Sequence, residues 1–148
     1  MLALGPKGRA LIRDFEQLRL KAYRKFLNEP WTCGWGHTGR DVTESTTCTP
    51  EQADVWFECD IAGPERAVNL MVTVPMNQNE FDALVSFAYN LGVAAESHST
   101  LIKLVNAGDW AGASNEFPKW NHDNGKVVDG LTRRRAAERD LFNSSEGI

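Results

Sequence analysis

Glu16 is the side chain around which the chemistry of this sequence can be arranged. It stands beside Phe15 and close to Leu18, and a carboxyl packed against apolar neighbours can keep a proton for donation as a general acid. A solvated glutamate is the commoner outcome of such a placement, so spacing alone does not select it. Other reactive side chains are sparse. Cys33, Cys48 and Cys59 form no CxxC, and no cysteine–histidine pair has zinc-finger spacing. No metal site or disulfide scaffold is expected, and the thiols read as reduced. Arg133-Arg134-Arg135 followed by Arg139 reads as a solvated helix start, with a site for an anionic polymer as the minor alternative. His98 and His122 lie in polar stretches and read as solvated.

The element that must position Glu16 is legible. Leu11, Ile12, Phe15 and Leu18 recur at helical spacing, which predicts an amphipathic helix from Gly8 to Leu18 with Glu16 at its far end. From Ala22 to Val42 the pattern changes, and Trp31 to Gly39 are mostly aromatic, β-branched or glycine. Short strands and tight turns are expected there. Thr49-Pro50-Glu51-Gln52 starts a long helix through Trp56, Phe57 and Asp60, and Gly63-Pro64 is expected to break or kink it. Asn77 caps a helix with Glu80 three residues on; Phe81, Leu84, Val85 and Ala88 form its core stripe and Gly92 closes it. Further helices are expected over Ser99–Val105, after Asp109, and over Thr132–Phe142, with a polar loop at Asn121–Gly130 and a frayed tail from Asn143.

The 148 residues, 42% hydrophobic and 24% charged, suit one soluble globular domain. The expected class is α+β: a first helix in 1–21, a small β lobe in 22–48, a connecting helix in 49–72 and a helical lobe in 73–148, with a cleft between the lobes. A net charge of −4 argues against nucleic acid as a default partner. No apolar run approaches the roughly 18 residues that span a bilayer, and the glycine- and proline-broken start of the chain does not read as a signal peptide.

Four blocks of residues carry a family likeness. Glu16-Gln17-Leu18-Arg19-Leu20-Lys21-Ala22-Tyr23 and Trp31-Thr32-Cys33-Gly34-Trp35-Gly36-His37-Thr38-Gly39 are followed by Val74 to Gly92 and by Gly130 to Glu138. Together they resemble the phage lysozyme (endolysin) family over nearly the whole chain. The resemblance implies a lysozyme-like fold and cleavage of the β-1,4 bond between N-acetylmuramic acid and N-acetylglucosamine in bacterial peptidoglycan. It implies Glu16 as the catalytic carboxyl and Thr32 near the catalytic water. Gly36, Thr38, Tyr89, Asn90 and Thr100 would line the glycan site, and His37 and Asp60 would be a structural pair. No cofactor, nucleic acid or stable membrane insertion is implied, and a monomer is expected. The protein is expected to accumulate in the host cytoplasm and to reach the wall through a holin-type pore. Trp31, Trp35, Trp110 and Trp120 could stack sugars, although burial is the commoner fate; Trp35 is the best candidate.

One position departs from the family. A second acidic residue belongs nine positions after the glutamate, where this chain has Lys25, or Phe26 if the alignment is slid from the Thr32 side. Glycosidases ordinarily use two carboxyl groups. Three readings follow: Glu29 substitutes, Glu16 acts alone with internal attack by the muramic C6 hydroxyl as in lytic transglycosylases, or the chain is an impaired enzyme kept as a glycan binder. Hydrolysis is the preferred reading. A carboxylate beside His37 is expected to raise the imidazole pKa and to have its own depressed.

Overall fold

The computed structural model describes residues 1–144. In chain order they form α1 (Pro6–Glu16), β1 (Arg19–Tyr23), β2 (Thr32–Gly34), β3 (His37–Thr38), α2 (Pro50–Met71), α3 (Gln78–Leu91), α4 (Val93–Ser97), α5 (Thr100–Asn106), α6 (Trp110–Ser114), a 3-10 turn (Phe117–Lys119), β4 (His122–Asp123), β5 (Lys126–Val127) and α7 (Asp129–Phe142). The mixed class is α+β, as expected. The chain divides into two compact units, Arg13–Ala62 and Met1–Ile12 with Gly63–Ile148. The boundaries fall inside α1 and α2.

In the Arg13–Ala62 unit, β1, β2 and β3 form an antiparallel sheet in that order. Cys33, Val42, Ala53, Phe57 and Ile61 are its buried apolar residues. In the larger unit α3 is buried on almost every side from Asn79 to Ala88, the pattern of a central helix. Asn77 and Glu80 close a reciprocal capping box at its start: the Glu80 N–H donates to Asn77 Oδ1, and the Asn77 N–H to Glu80 Oε1, each at 2.8 Å. Asp82 Oδ1 accepts from the Gly5 N–H at 3.0 Å and Oδ2 from the Gly8 N–H at 3.2 Å. These groups at the start of α1 lack intrahelical partners. A Cβ at Gly8 would overlap Leu4 and Asp82, so only glycine lets the helix approach this closely.

Several expectations need correction. The first helix begins at Pro6 and ends at Glu16, and β1 already starts at Arg19, inside the 1–21 stretch given to the helix. α2 runs unbroken through Pro64. Ala53, Phe57, Ile61 and Val68 are all fully buried, and their helical spacing on both sides of the proline outweighs one missing hydrogen bond. The expected 121–130 loop contains the β4–β5 hairpin, and α7 starts at Asp129. Arg134 and Arg135 are not solvated: they are 3% and 0% exposed and share Glu138, itself 0% exposed. Arg134 Nε and Arg135 Nη2 both donate to Glu138 Oε2, at 3.3 and 3.2 Å, and Ser86 Oγ does so at 2.6 Å. Of the expected tail, residues 145–148 lie outside the described residues.

Candidate active site

The backbone leaves Glu16 through Gln17, which takes the left-handed conformation at φ 61°. That costs a non-glycine residue about 1 kcal/mol. The Gln17 N–H donates to Arg13 O at 2.9 Å and its side-chain amide to Asp14 O at 2.5 Å, which closes the helix end and turns the chain into β1. The β2–β3 turn is Trp35-Gly36, with Gly36 at φ 87°. A Cβ there would run into Glu16 Oε1. Gly36 is therefore required by its backbone angle, and its lack of a Cβ leaves room for the carboxyl that lies against it.

Thr32 pairs with Tyr23 on one side and Thr38 on the other. Directly opposed residues of antiparallel strands share a face, so Tyr23, Thr32 and Thr38 make one row across the sheet. Thr32 Oγ1 donates to Pro30 O at 3.4 Å. The Tyr23 phenol pKa is raised, first by burial and then by the negative charge of Glu16, with Glu29 adding to it and Arg19 opposing. Glu16 and Glu29 thus act on the same phenol. Lys25 and Phe26 are exposed on the β1–β2 loop, and Glu29 is half-buried.

His37 Nδ1 is 2.8 Å from Asp60 Oδ2, and Nε2 is 2.9 Å from Asp41 Oδ2. The ring stacks on Trp56 with centroids 4.4 Å apart. Burial pulls the imidazole pKa down, but hydrogen bonds to Asp41 and Asp60 outweigh it and leave it raised. Asp60 does not follow the expectation of a depressed value. Its burial pushes the carboxyl up more than His37 pulls it down, and Asp41 adds to the rise. The depressed partner is the exposed Asp41, held down by its hydrogen bond to His37.

Trp35 is half-buried. Its Nε1 donates to Asp54 Oδ1 at 3.0 Å, and the Arg13 guanidinium lies over its ring at 5.4 Å and over Phe57 at 4.7 Å. Tyr89, Asn90 and Thr100 belong to the larger unit. Tyr89 and Asn90 are half-buried near the end of α3, where Asn90 Oδ1 accepts from Arg135 Nη2 at 2.8 Å, and Thr100 is exposed at the start of α5. The Arg13–Ala62 unit therefore brings Glu16, Glu29, Thr32, Trp35, Gly36, His37, Thr38 and Asp60 into one unit. Asp41, Trp56 and Arg13 were not anticipated there. Trp56 stands one helical turn before Asp60, and that spacing was its available signal; Asp41, in the turn after β3, carried none.

The phage lysozyme family matches residues 13–138. The chain is 44% identical to an endolysin of Bacillus phage PZA over 97% of its own length and 56% of that protein's. It spans about half the length of the curated Bacillus phage relatives it matches. An endolysin of Acyrthosiphon pisum secondary endosymbiont phage 1 is 42% identical, with 96% of this chain and 99% of that one covered. Among solved structures, the muramidase domain of SpmX from Asticaccaulis excentricus superposes with a TM-score of 0.89 at 36% identity, covering 98% of this chain and all of that one. The chain belongs to the phage lysozyme family, and its fold is lysozyme-like.

Proposed function

We propose that this chain is a peptidoglycan hydrolase of the endolysin type. It cleaves the β-1,4 bond between N-acetylmuramic acid and N-acetylglucosamine, with Glu16 protonating the leaving oxygen. The observation that carries this reading is the seat of the Glu16 carboxyl against the Gly36 turn, whose positive φ calls for glycine. Family membership and the names of the relatives support it. Glu29, half-buried on the β1–β2 loop of the same unit as Glu16, supplies the second carboxylate, as base or nucleophile. Thr32 positions the attacking water. Trp35, Gly36, Thr38, Tyr89, Asn90 and Thr100 contact glycan, and His37–Asp60 is structural. The protein acts without a cofactor as a monomer; it accumulates in the host cytoplasm and reaches the wall through a holin-type pore.

The test is turbidity loss of purified sacculi combined with mass spectrometry of the released muropeptides. Wild type is expected to clear sacculi and leave reducing ends, and Glu16→Gln to lose about 10²–10⁴-fold in rate. Glu29→Gln is expected to lose a comparable factor. Wild type that clears nothing at any pH while still pelleting with sacculi would overturn the enzyme reading. Anhydro-muramic ends that survive Glu29→Gln would replace hydrolysis by internal attack.

A further inference from the structure

Two free thiols meet in the Arg13–Ala62 unit. Cys33 is buried on β2, and Cys48 is half-buried two residues before α2. Their sulfurs are 3.5 Å apart and both aim at one carbonyl, Arg19 O, at 3.5 Å from Cys33 and 3.7 Å from Cys48. The backbone beneath them is pinned. The Cys48 N–H donates to Leu20 O at 2.9 Å, the preceding Thr47 bridges Lys21, and Cys33 lies in register with His37 on β3. A disulfide needs its sulfurs at about 2.05 Å, so closure asks for roughly 1.5 Å of side-chain movement.

We propose that Cys33 and Cys48 are a cross-linking site, oxidised to a disulfide by a low-molecular-weight disulfide. Cys48 is the more accessible sulfur. It gives up its proton and attacks one sulfur of the small disulfide, and the departing thiolate takes up that proton. Cys33 then gives up its proton and attacks Cys48 Sγ in the mixed disulfide. The Cys33–Cys48 bond forms, and the second small thiolate leaves and is protonated. Two protein thiols are oxidised by two electrons while one small disulfide is reduced to two thiols. Burial and the neighbouring Cys33 push the Cys48 thiol up to about 11. The reaction is therefore slow at neutral pH and quickens as alkali raises the thiolate fraction.

The closed ring would contain Trp35, Gly36, His37 and Thr38, so the bond would restrain the turn that lies against Glu16. The chemistry itself does not depend on the proposed catalytic function. Full-length Cys59→Ser protein, which keeps only the pair, is incubated with excess oxidised glutathione near pH 8.5. The expected product is lighter by about 2 Da than the reduced chain, has no thiol reactive to Ellman's reagent after denaturation, and yields one Cys33–Cys48 cross-linked peptide. Its Tm is expected to rise by about 6–12 °C, from the ring closed in the unfolded chain, and to return on reduction with dithiothreitol. Two thiols still titratable, a stable glutathione adduct on Cys48, or disulfide-linked dimers would each overturn the proposal.

Discussion

An imidazole between two carboxylates titrates as one member of a three-group cluster, and His37 is such a member. Its raised pKa means that its stabilisation is fully present below the unfolded value of about 6.5 and is lost as pH rises through the folded one. Asp60, also raised, favours the fold below the unfolded carboxyl value of about 3.9, and that contribution has gone once pH passes its folded value. Asp41, lowered, contributes in the opposite sense, above the unfolded carboxyl value, and loses that contribution as pH falls through its folded one. The contributions of His37 and Asp41 therefore overlap around pH 5 to 6, with the imidazole charged. His37→Asn is expected to cost on the order of 1 kcal/mol there and clearly less at pH 9, measured by urea unfolding at each pH. Equal losses at the two pH values would reject the charged pair. The partnership with Asp60 was readable only through family likeness, because 23 residues separate the two. The sign of the Asp60 shift was not readable, since it is set by burial and by Asp41, which a pairwise motif does not contain.

At the scale of elements, α2 keeps a proline that local rules would place at a helix end. Pro64 has no N–H to bond four residues back, yet Ile61 and Val68 on either side are 1% and 0% exposed. Pro64→Ala restores the hydrogen bond and helix propensity but loosens the unfolded chain. The expected net is a gain of about 1–2 kcal/mol, seen as a higher Tm in calorimetry; a lower Tm would show that the proline ring packs better than the missing bond costs. The helices capped at Asn77 and Asp109 and the body of the β region from Ala22 on were legible because period and capping chemistry are local, whereas the start of β1 at Arg19 was not. The β4–β5 hairpin was missed because strands of two residues carry no alternation. Its one signal was Asn124-Gly125, both at positive φ (49° and 77°) as the tightest hairpin turns require. The interior Arg134 and Arg135 were misplaced for another reason: a charge pattern reads as surface unless its counter-charge is recognised, and here Glu138 lies within one turn of both.

For the molecule as a whole, the stability profile with pH should also carry the mark of a carboxyl that belongs to no ion pair. Glu96 on α4 is 0% exposed, and neither of its oxygens has a hydrogen-bond partner among the described residues. Burial first, then the nearby Glu138, raise its pKa well above the usual glutamate value, against the pull of Arg135. A raised carboxyl supports the fold fully below its unfolded pKa of about 4.3, and that support is lost as pH rises through the folded value. The loss has a limiting slope of about 1.4 kcal/mol per pH unit. Glu96→Gln keeps the volume and removes the titration. Relative to wild type, the variant should gain stability as pH is raised above about 4.3 and level off once the folded value is passed, measured by denaturant midpoints. A difference that stays flat over that range would mean Glu96 does not titrate in the folded protein.

The larger unit is discontinuous in sequence: Met1–Ile12 belongs with Gly63–Ile148. The acceptor for the N–H groups of Gly5 and Gly8 is Asp82, on α3. On a ribosome that adds about 5–20 residues per second from the amino end, the segment made first is thus completed late. These two N–H groups wait through some seventy residues of synthesis, their sequence separations from Asp82 being 77 and 74, while the Leu4 and Leu2 N–H groups meet Glu65 and Asn69 somewhat earlier. The Arg13–Ala62 segment emerges in that interval and has its own sheet to pair. Docking of the first residues then closes the loop around that whole segment, an entropic cost that grows only slowly with its length. The order of assembly therefore differs from the order of synthesis, and a nascent chain released before residue 82 lacks the carboxylate that anchors its own beginning.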